Sequence, residues 1–291
     1  MKYQYLNEKE IYDEKANNSL RFLYNTVIGR IVLKILTTHF VSKVAGAFFN
    51  SRLSTPMIKS YIKKYNIDIS ICEEKKYKSF NEFFKRNLKE GYLENKSKNS
   101  KDRFISTANS RITYYEISDD LLINVKNSIY SISELIQDDE LAKEYEGGIC
   151  LIYRLSPDNY HRYIFCDDGT QEYLKSIKGK LHTVNPIIYE KNKYKVYTEN
   201  YREVSKLNTK RFGKIIQIEV GAMCVGKIKN HKEIIEFKKY EEKGYFEFGG
   251  STIIQLIKKD KVKINKQIVE NSKNDIETYV AIGDVLFWTR E

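Results

Sequence analysis

Beyond about residue 103 the chain breaks into short apolar or alternating runs, at 112–117, 148–155, 215–220, 234–237, 252–257 and 278–282. Runs of this length, separated by Gly, Asn, Asp and Lys, read as strands joined by turns. The preceding part has a different texture. Leu20, Leu23, Val27, Ile28, Ile31, Val32, Ile35 and Leu36 recur at spacings of three and four, so 20–50 is the most helix-like and most apolar segment. Ser54-Thr55-Pro56 reads as a helix start with Ile58, Tyr61, Ile62 and Tyr65 on its apolar face, and a second helix is expected over 80–88. Helices first and strands afterwards give an α+β fold, with a mainly helical region 1–100 and a β-rich catalytic core 101–291. The polar, lysine-rich stretch 94–101 is the boundary and reads as a solvated loop.

Composition narrows the class. A hydrophobic fraction of 41% and a charged fraction of 31% describe an ordinary globular chain, and 291 residues suffice for a sizeable core. The net charge of +11 favours an anionic partner, discounted because Lys, Asn, Ile and Tyr are all abundant. Arg30, Lys34 and Lys43 punctuate the apolar 20–50 segment, so it can lie in a membrane interface facing acidic headgroups or pack on the protein's own core. No run reaches 18 consecutive apolar residues, and the first ten residues are polar. Cys72, Cys150, Cys166 and Cys224 form no C-x-x-C pair and read as reduced thiols. His39, His161, His182 and His231 are scattered without metal-ligand spacing, so no metal is expected. Nucleic acid is not the expected partner, because no helix-turn-helix, zinc-finger or aromatic RNA-binding signature accompanies the charge.

The chemistry concentrates at Phe248-Gly249-Gly250-Ser251-Thr252, just before the run 253–257. On its own this is a turn entering a strand. It can also be a self-cleavage site: the flexible glycines can present the Gly250 carbonyl to the Ser251 hydroxyl. Attack there replaces the amide with an ester, and elimination followed by hydrolysis leaves an N-terminal pyruvoyl group. A serine hydrolase is not indicated, since the second glycine of a G-x-S-x-G elbow is missing.

Further segments stand in order along the chain: Phe80-Asn81-Glu82-Phe83-Phe84-Lys85-Arg86-Asn87-Leu88, Tyr160-His161-Arg162, Val184-Asn185-Pro186, Asn200 with Arg202, Val220-Gly221-Ala222 and Lys243-Gly244-Tyr245-Phe246. Together with the Gly-Gly-Ser-Thr motif they resemble the phosphatidylserine decarboxylases, pyruvoyl-dependent enzymes made as self-cleaving proenzymes. The resemblance implies cleavage between Gly250 and Ser251, giving a large chain 1–250 and a small chain 251–291 that stay together. Ser251 becomes the pyruvoyl group, which condenses with the amine of phosphatidylserine as a Schiff base and accepts electrons as CO2 leaves. His161 then stands where a histidine assists proton handling, and Arg162 is the candidate for holding a phosphate or carboxylate. An anionic membrane surface, reached from its cytoplasmic face, is the expected partner; a homodimer is left open.

Two positions depart from the family pattern. The serine-activating relay uses an aspartate and a histidine, and here Asn109 and Ile164 stand in those places. Isoleucine accepts no proton, and neutral asparagine does not stabilise an imidazolium. Asn159 likewise replaces the acid before the tyrosine, while Asp158, Asp167 and Asp168 are acids nearby in sequence. Three readings follow: a working decarboxylase that cleaves with His161 or another base, a non-maturing relative that binds lipid or regulates, or a decaying copy without function.

Overall fold

The computed structural model describes residues 2–14, 18–98, 100–126, 128–185, 194–222, 228–249 and 251–289. Strands β1 (Lys2–Tyr5) and β2 (Ile11–Asp13) open the chain, followed by helices α1 (Asn18–Asn25), α2 (Val27–Leu36), α3 (His39–Asn50), α4 (Met57–Tyr65), α5 (Phe80–Phe84) and α6 (Tyr92–Ser97). Next come β3 (Arg103–Ile105), β4 (Ser110–Glu116), β5 (Leu122–Val125), β6 (Ser128–Ser131), α7 (Ile132–Ile136), α8 (Asp139–Lys143), β7 (Ile149–Leu155), β8 (Arg162–Ile164), β9 (Gly169–Ile177) and α9 (Val196–Glu199). The chain continues through β10 (Arg202–Thr209), β11 (Gly213–Gly221), β12 (Ile228–Asn230), β13 (Glu236–Phe237), β14 (Glu242–Phe246) and β15 (Ser251–Ile257). It closes with β16 (Val262–Ile264), α10 (Lys266–Lys273), β17 (Ile276–Val280) and β18 (Val285–Thr289).

The fold is mixed α+β, built on a ten-stranded sheet in the order β13-β9-β10-β11-β15-β7-β4-β17-β1-β2. All its pairings are antiparallel except β1 with β17. Every residue of β7 and β15 is buried, which is why both read as near-continuous apolar runs rather than as alternating ones. Side chains of successive residues point to opposite faces. Ile253 and Ile257 therefore join one core with Tyr163 of β8, Phe246 of β14 and Ile268 of α10. Ile254 and Leu256 join a second core with Tyr24, Leu33 and residues of α7, α8 and α9.

The first face also holds a buried polar network. Lys243 pairs with Glu219 at 2.9 Å, both fully buried. Gln217 donates to Glu219, Gln255 to Gln217 and the Tyr153 hydroxyl to Gln255, each at 2.8 Å. Closing these bonds matters because an unmade one inside a core costs more than a made one contributes.

Several expected elements take a different form. The segment 20–50 is three helices, because Thr26 and Thr38 each cap a new start with their hydroxyl oxygens, accepting from Gly29 and Val41 amides. Gly29 lets α2 cross close to α1: a Cβ there would fall 2.1 Å from the Phe22 carbonyl oxygen. The expected helix over 80–88 stops at Phe84. Part of the presumed solvated loop 94–101 belongs to α6, whose Tyr92 and Leu93 pack against the core. The 234–237 run is a two-residue edge strand. Strands β1 and β2 carry tyrosines rather than aliphatics on an edge; Tyr5 packs on Tyr279 at 4.7 Å. Cys72, Cys150 and Cys166 are free thiols, and Cys224 lies outside the described residues.

A third core sits beneath the helices: Phe80, Phe83 and Phe84 of α5 with Phe49, Tyr61 and Phe248. The Phe80 ring lies 4.9 Å from both Tyr61 and Phe248. Deleting a buried phenyl ring costs about 3–5 kcal/mol. Phe80→Ala is therefore expected to lower unfolding stability by about 3 kcal/mol or more in denaturant titration. A loss below about 1 kcal/mol would contradict this packing role.

Candidate functional site

Ser251 opens β15, opposite Gly221 of β11 on one side and Leu155 of β7 on the other. Its side chain shares the face of Ile253 and Gln255 and is fully buried. The approach to it is held in place. Phe248 lies against Phe49 at 4.3 Å and Phe84 at 5.2 Å, and its amide donates to Asn81 Oδ1 at 2.8 Å. Gly249 has φ 145°, in the region that favours glycine, so the chain can reverse there between β14 and β15. Gly250 lies outside the described residues.

His161 meets this serine. Its Nδ1 is 3.2 Å from Ser251 Oγ, and its Nε2 is 3.2 Å from the Ser156 carbonyl oxygen. A carbonyl only accepts, so Nε2 carries the hydrogen and donates it to Ser156. In the neutral ring this leaves the Nδ1 lone pair facing the Ser251 hydroxyl, the tautomer needed to accept its proton. The Ser156 carbonyl is itself fixed. Ser156 ends β7, its amide donates to Asn159 Oδ1 at 2.7 Å, and the Asn159 amide donates back to its carbonyl at 2.9 Å. Tyr61 of α4 donates to the Pro157 carbonyl at 2.9 Å, tying the same turn to the helices. The Phe84 ring covers His161 at 4.1 Å.

Burial pushes the His161 pKa down to about 3; the Arg86 charge adds to this, and the bond to Ser156 opposes it. The ring is thus neutral at pH 7 and available as an acceptor, though a weak base. A neutral carbonyl supports the imidazolium less than the aspartate of a relay would.

The structure does not bring the two relay positions to this contact as a hydrogen-bonded chain. Asn109 Oδ1 accepts from the Ile282 amide. Ile164 is buried in β8, its amide donating to the Thr107 carbonyl at 2.9 Å. Ile164 and Ile282 line a cavity of about 490 Å³ together with Tyr160, Arg162, Tyr240 and Glu242. Arg162 sits at its wall with Nη1 at 2.8 Å from both Glu242 carboxylate oxygens, and it also donates to the Lys85 carbonyl. The nearby acids are engaged elsewhere: Asp158 with Arg111, Asp167 with Arg211, and Asp168 with the Lys239 amide. Among the described residues no group of three or more His, Cys, Asp or Glu side chains could hold a metal. Pro186 and residues 223–226 of the remaining motifs lie outside the described residues.

Sequence reasoning missed Asn81, Phe84 and Ser156 as parts of this site. Asn81 and Phe84 lie within a motif that was read as a helix and as part of the family resemblance, without a role for either residue. Ser156 acts through its backbone, which leaves no side-chain signal.

The family model described as "Phosphatidylserine decarboxylase" matches residues 80–286. The chain is 50% identical over 286 residues to phosphatidylserine decarboxylase proenzyme 2 of Clostridium acetobutylicum, covering 97% of each. It is 39% identical over 295 residues to the proenzyme of Clostridium perfringens, covering 97% of this chain and 98% of that one. It is also 39% identical over 272 residues to the proenzyme of Ruminiclostridium cellulolyticum, covering 92% and 90%. The chain belongs to the phosphatidylserine decarboxylase family.

The tautomer of His161 is open to spectroscopy. In the full chain carrying Ser251→Ala, 15N-labelled His161 is expected to stay neutral with hydrogen on Nε2 from about pH 8 down to about pH 5. A ring that protonates near its ordinary value of 6.5, or that carries its hydrogen on Nδ1, would contradict the geometry. The sign for stability follows: the unfolded chain takes up this proton below about 6.5 and the folded chain does not, so the contribution is lost as pH falls from there toward 3.

Proposed function

We propose that this chain is a phosphatidylserine decarboxylase made as a proenzyme, which matures by scission between Gly250 and Ser251 and converts phosphatidylserine to phosphatidylethanolamine and CO2. The observation that carries the maturation step is the 3.2 Å approach of His161 Nδ1 to Ser251 Oγ. His161 takes the hydroxyl proton as Oγ attacks the Gly250 carbonyl. The Gly250–Ser251 amide becomes an ester, and the proton returns to the freed amino group. Removal of the Ser251 Cα proton with loss of the ester oxygen leaves chain 1–250 with a carboxylate and chain 251–291 with a dehydroalanine end, whose imine tautomer adds water and releases ammonia to give the pyruvoyl end.

The residues fit such a group. The Ser251 position is fully buried beside a histidine lone pair. When formed, the ketone supplies the electron sink that decarboxylation needs and no side chain provides. The chain's own residues do the rest. The walls around position 251 limit water, Phe84 covers His161, and His161 Nδ1 is the atom placed to take up and return a proton at the reacting carbon. The alternative of a non-maturing lipid-binding relative is not favoured, since its only support is Asn109 and Ile164 at the relay positions and His161 supplies a base.

The substrate is a lipid, and the helices offer a surface for it on the cytoplasmic face of a membrane. Val27, Ile28, Ile31 and Ile35 are exposed on α2, with Phe40 and Val44 exposed on α3. Val27, Ile31 and Ile35 repeat at a spacing of four, and Arg30, Lys34 and Lys43 lie among them. No single described helix is long and apolar enough to cross a bilayer, which fits a helix pair lying in the interface.

Purified protein on vesicles containing phosphatidylserine is expected to release CO2 and form phosphatidylethanolamine. Replacing Ile28, Ile31 and Ile35 with Ser should weaken vesicle binding about tenfold or more, because each Ile transferred from water contributes on the order of 1 kcal/mol. No turnover by folded, cleaved protein would overturn the activity. Unchanged vesicle binding by the folded variant would overturn the membrane surface.

A further inference from the structure

Arg86 is a buried cation without a counter-ion. It is 4% exposed, and among the described residues its Nε has no hydrogen-bond partner. No carboxylate pairs with it among the described residues, unlike Arg111, Arg154, Arg162 and Arg211, each of which meets one. Its neighbours are rings and a thiol: the guanidinium carbon lies 5.1 Å from the Phe83 ring centre and 5.9 Å from that of Tyr160, and the Cys72 thiol is close by. Ring faces compensate a desolvated guanidinium only in part. A buried charge that nothing neutralises is costly unless an anion arrives to meet it.

The position of this charge is informative. Arg86 follows α5, whose Phe84 covers His161, and Tyr160 immediately precedes that histidine. The guanidinium is near enough to oppose protonation of His161. Its contact with the Tyr160 ring and the stacking of Phe84 on His161 put it close to that histidine, at the margin of the helices.

We propose that Arg86 binds the phosphodiester of the lipid headgroup, anchoring the substrate so that its amine reaches position 251. This rests on the decarboxylase reading above. The headgroup carries two anions, and chemistry separates them. A guanidinium clamped on the carboxylate would stabilise the charge that must flow away as CO2 leaves, favouring the ground state over the transition state. The phosphodiester keeps its charge throughout, so binding it holds the substrate without opposing the reaction. Planar, bidentate recognition of phosphate is what a guanidinium does best.

The test separates binding from maturation. The full chain with Ser251→Ala, which cannot form the pyruvoyl end, is titrated calorimetrically with glycerophosphoserine and with inorganic phosphate. Glycerophosphoserine should bind, and Arg86→Met should weaken it about tenfold or more, with Arg86→Lys recovering part of the loss. In the otherwise natural chain, Arg86→Met should still split at 250/251 by intact mass and should raise KM for phosphatidylserine more than it lowers kcat. As a check that leaves Arg86 itself unaltered, glycerophosphoserine should slow phenylglyoxal modification of Arg86 in the Ser251→Ala chain. Unchanged binding and KM in a folded Arg86→Met protein would overturn the proposal, as would absence of protection. Equal binding of inorganic phosphate would overturn the headgroup assignment. A folded Arg86→Met chain that no longer splits would place the charge in scission instead. Because the titration uses uncleaved chain, its failure differs from a failure of the decarboxylase reading, which would leave binding intact and turnover absent.

Discussion

The antiparallel pairing of β15 between β7 and β11 is the constraint on which the reactive end of this protein depends. Register sets Ser251 opposite Leu155, and one residue further on β7 the Ser156 carbonyl emerges beside it. A slip of one residue would turn Ser251 to the opposite face, away from His161. The slip is opposed along the whole strand. Ile253 and Ile257 must face one core and Ile254 and Leu256 the other, while Gln255 must keep its bonds to Tyr153 and Gln217. The position of one hydroxyl is therefore enforced by the burial of six following residues.

The helical region completes the arrangement from above. Asn81 holds the Phe248 amide, Tyr61 holds the Pro157 carbonyl and Phe84 covers the imidazole. These contacts come from two helices and converge on the loop before Ser251 and the turn after β7. Two other helices of the same region, α2 and α3, expose apolar side chains. The helical region thus packs over His161 and the loop before Ser251 on its inner side and, in the proposed function, meets the lipid surface on its outer side.

Much of this was legible in the sequence where the physics is local. The runs 148–155, 215–220 and 252–257 announced the central strands because buried strands are apolar on both faces. Ser251 and His161 stood out because each lies in an unusual motif, and the structure brings them to 3.2 Å. Strands β1 and β2 were not legible, since tyrosine-rich edge strands lack the aliphatic pattern. The breaks at Thr26 and Thr38 were hidden by an apolar spacing that runs on through both caps. The tautomer lock at Ser156 could not be read at all, because a backbone carbonyl has no residue type. Arg86 was visible as a residue, but its lack of a partner is a three-dimensional fact, as is the engagement of Arg162 by Glu242.

Asn109 and Ile164 mark a relay that this chain does not carry in its usual form. In the proposed function His161 serves in its place, with the Ser156 carbonyl orienting the ring and no described acid paired with the imidazole. The account therefore stands on whether that single histidine suffices. Intact-mass analysis of freshly purified wild-type chain beside His161→Ala tests this most directly. The expected result is two wild-type chains divided at 250/251, the smaller carrying pyruvoyl, and one unbroken chain for folded His161→Ala. A wild-type chain that stays whole, or a variant that divides as readily as wild type, would contradict it.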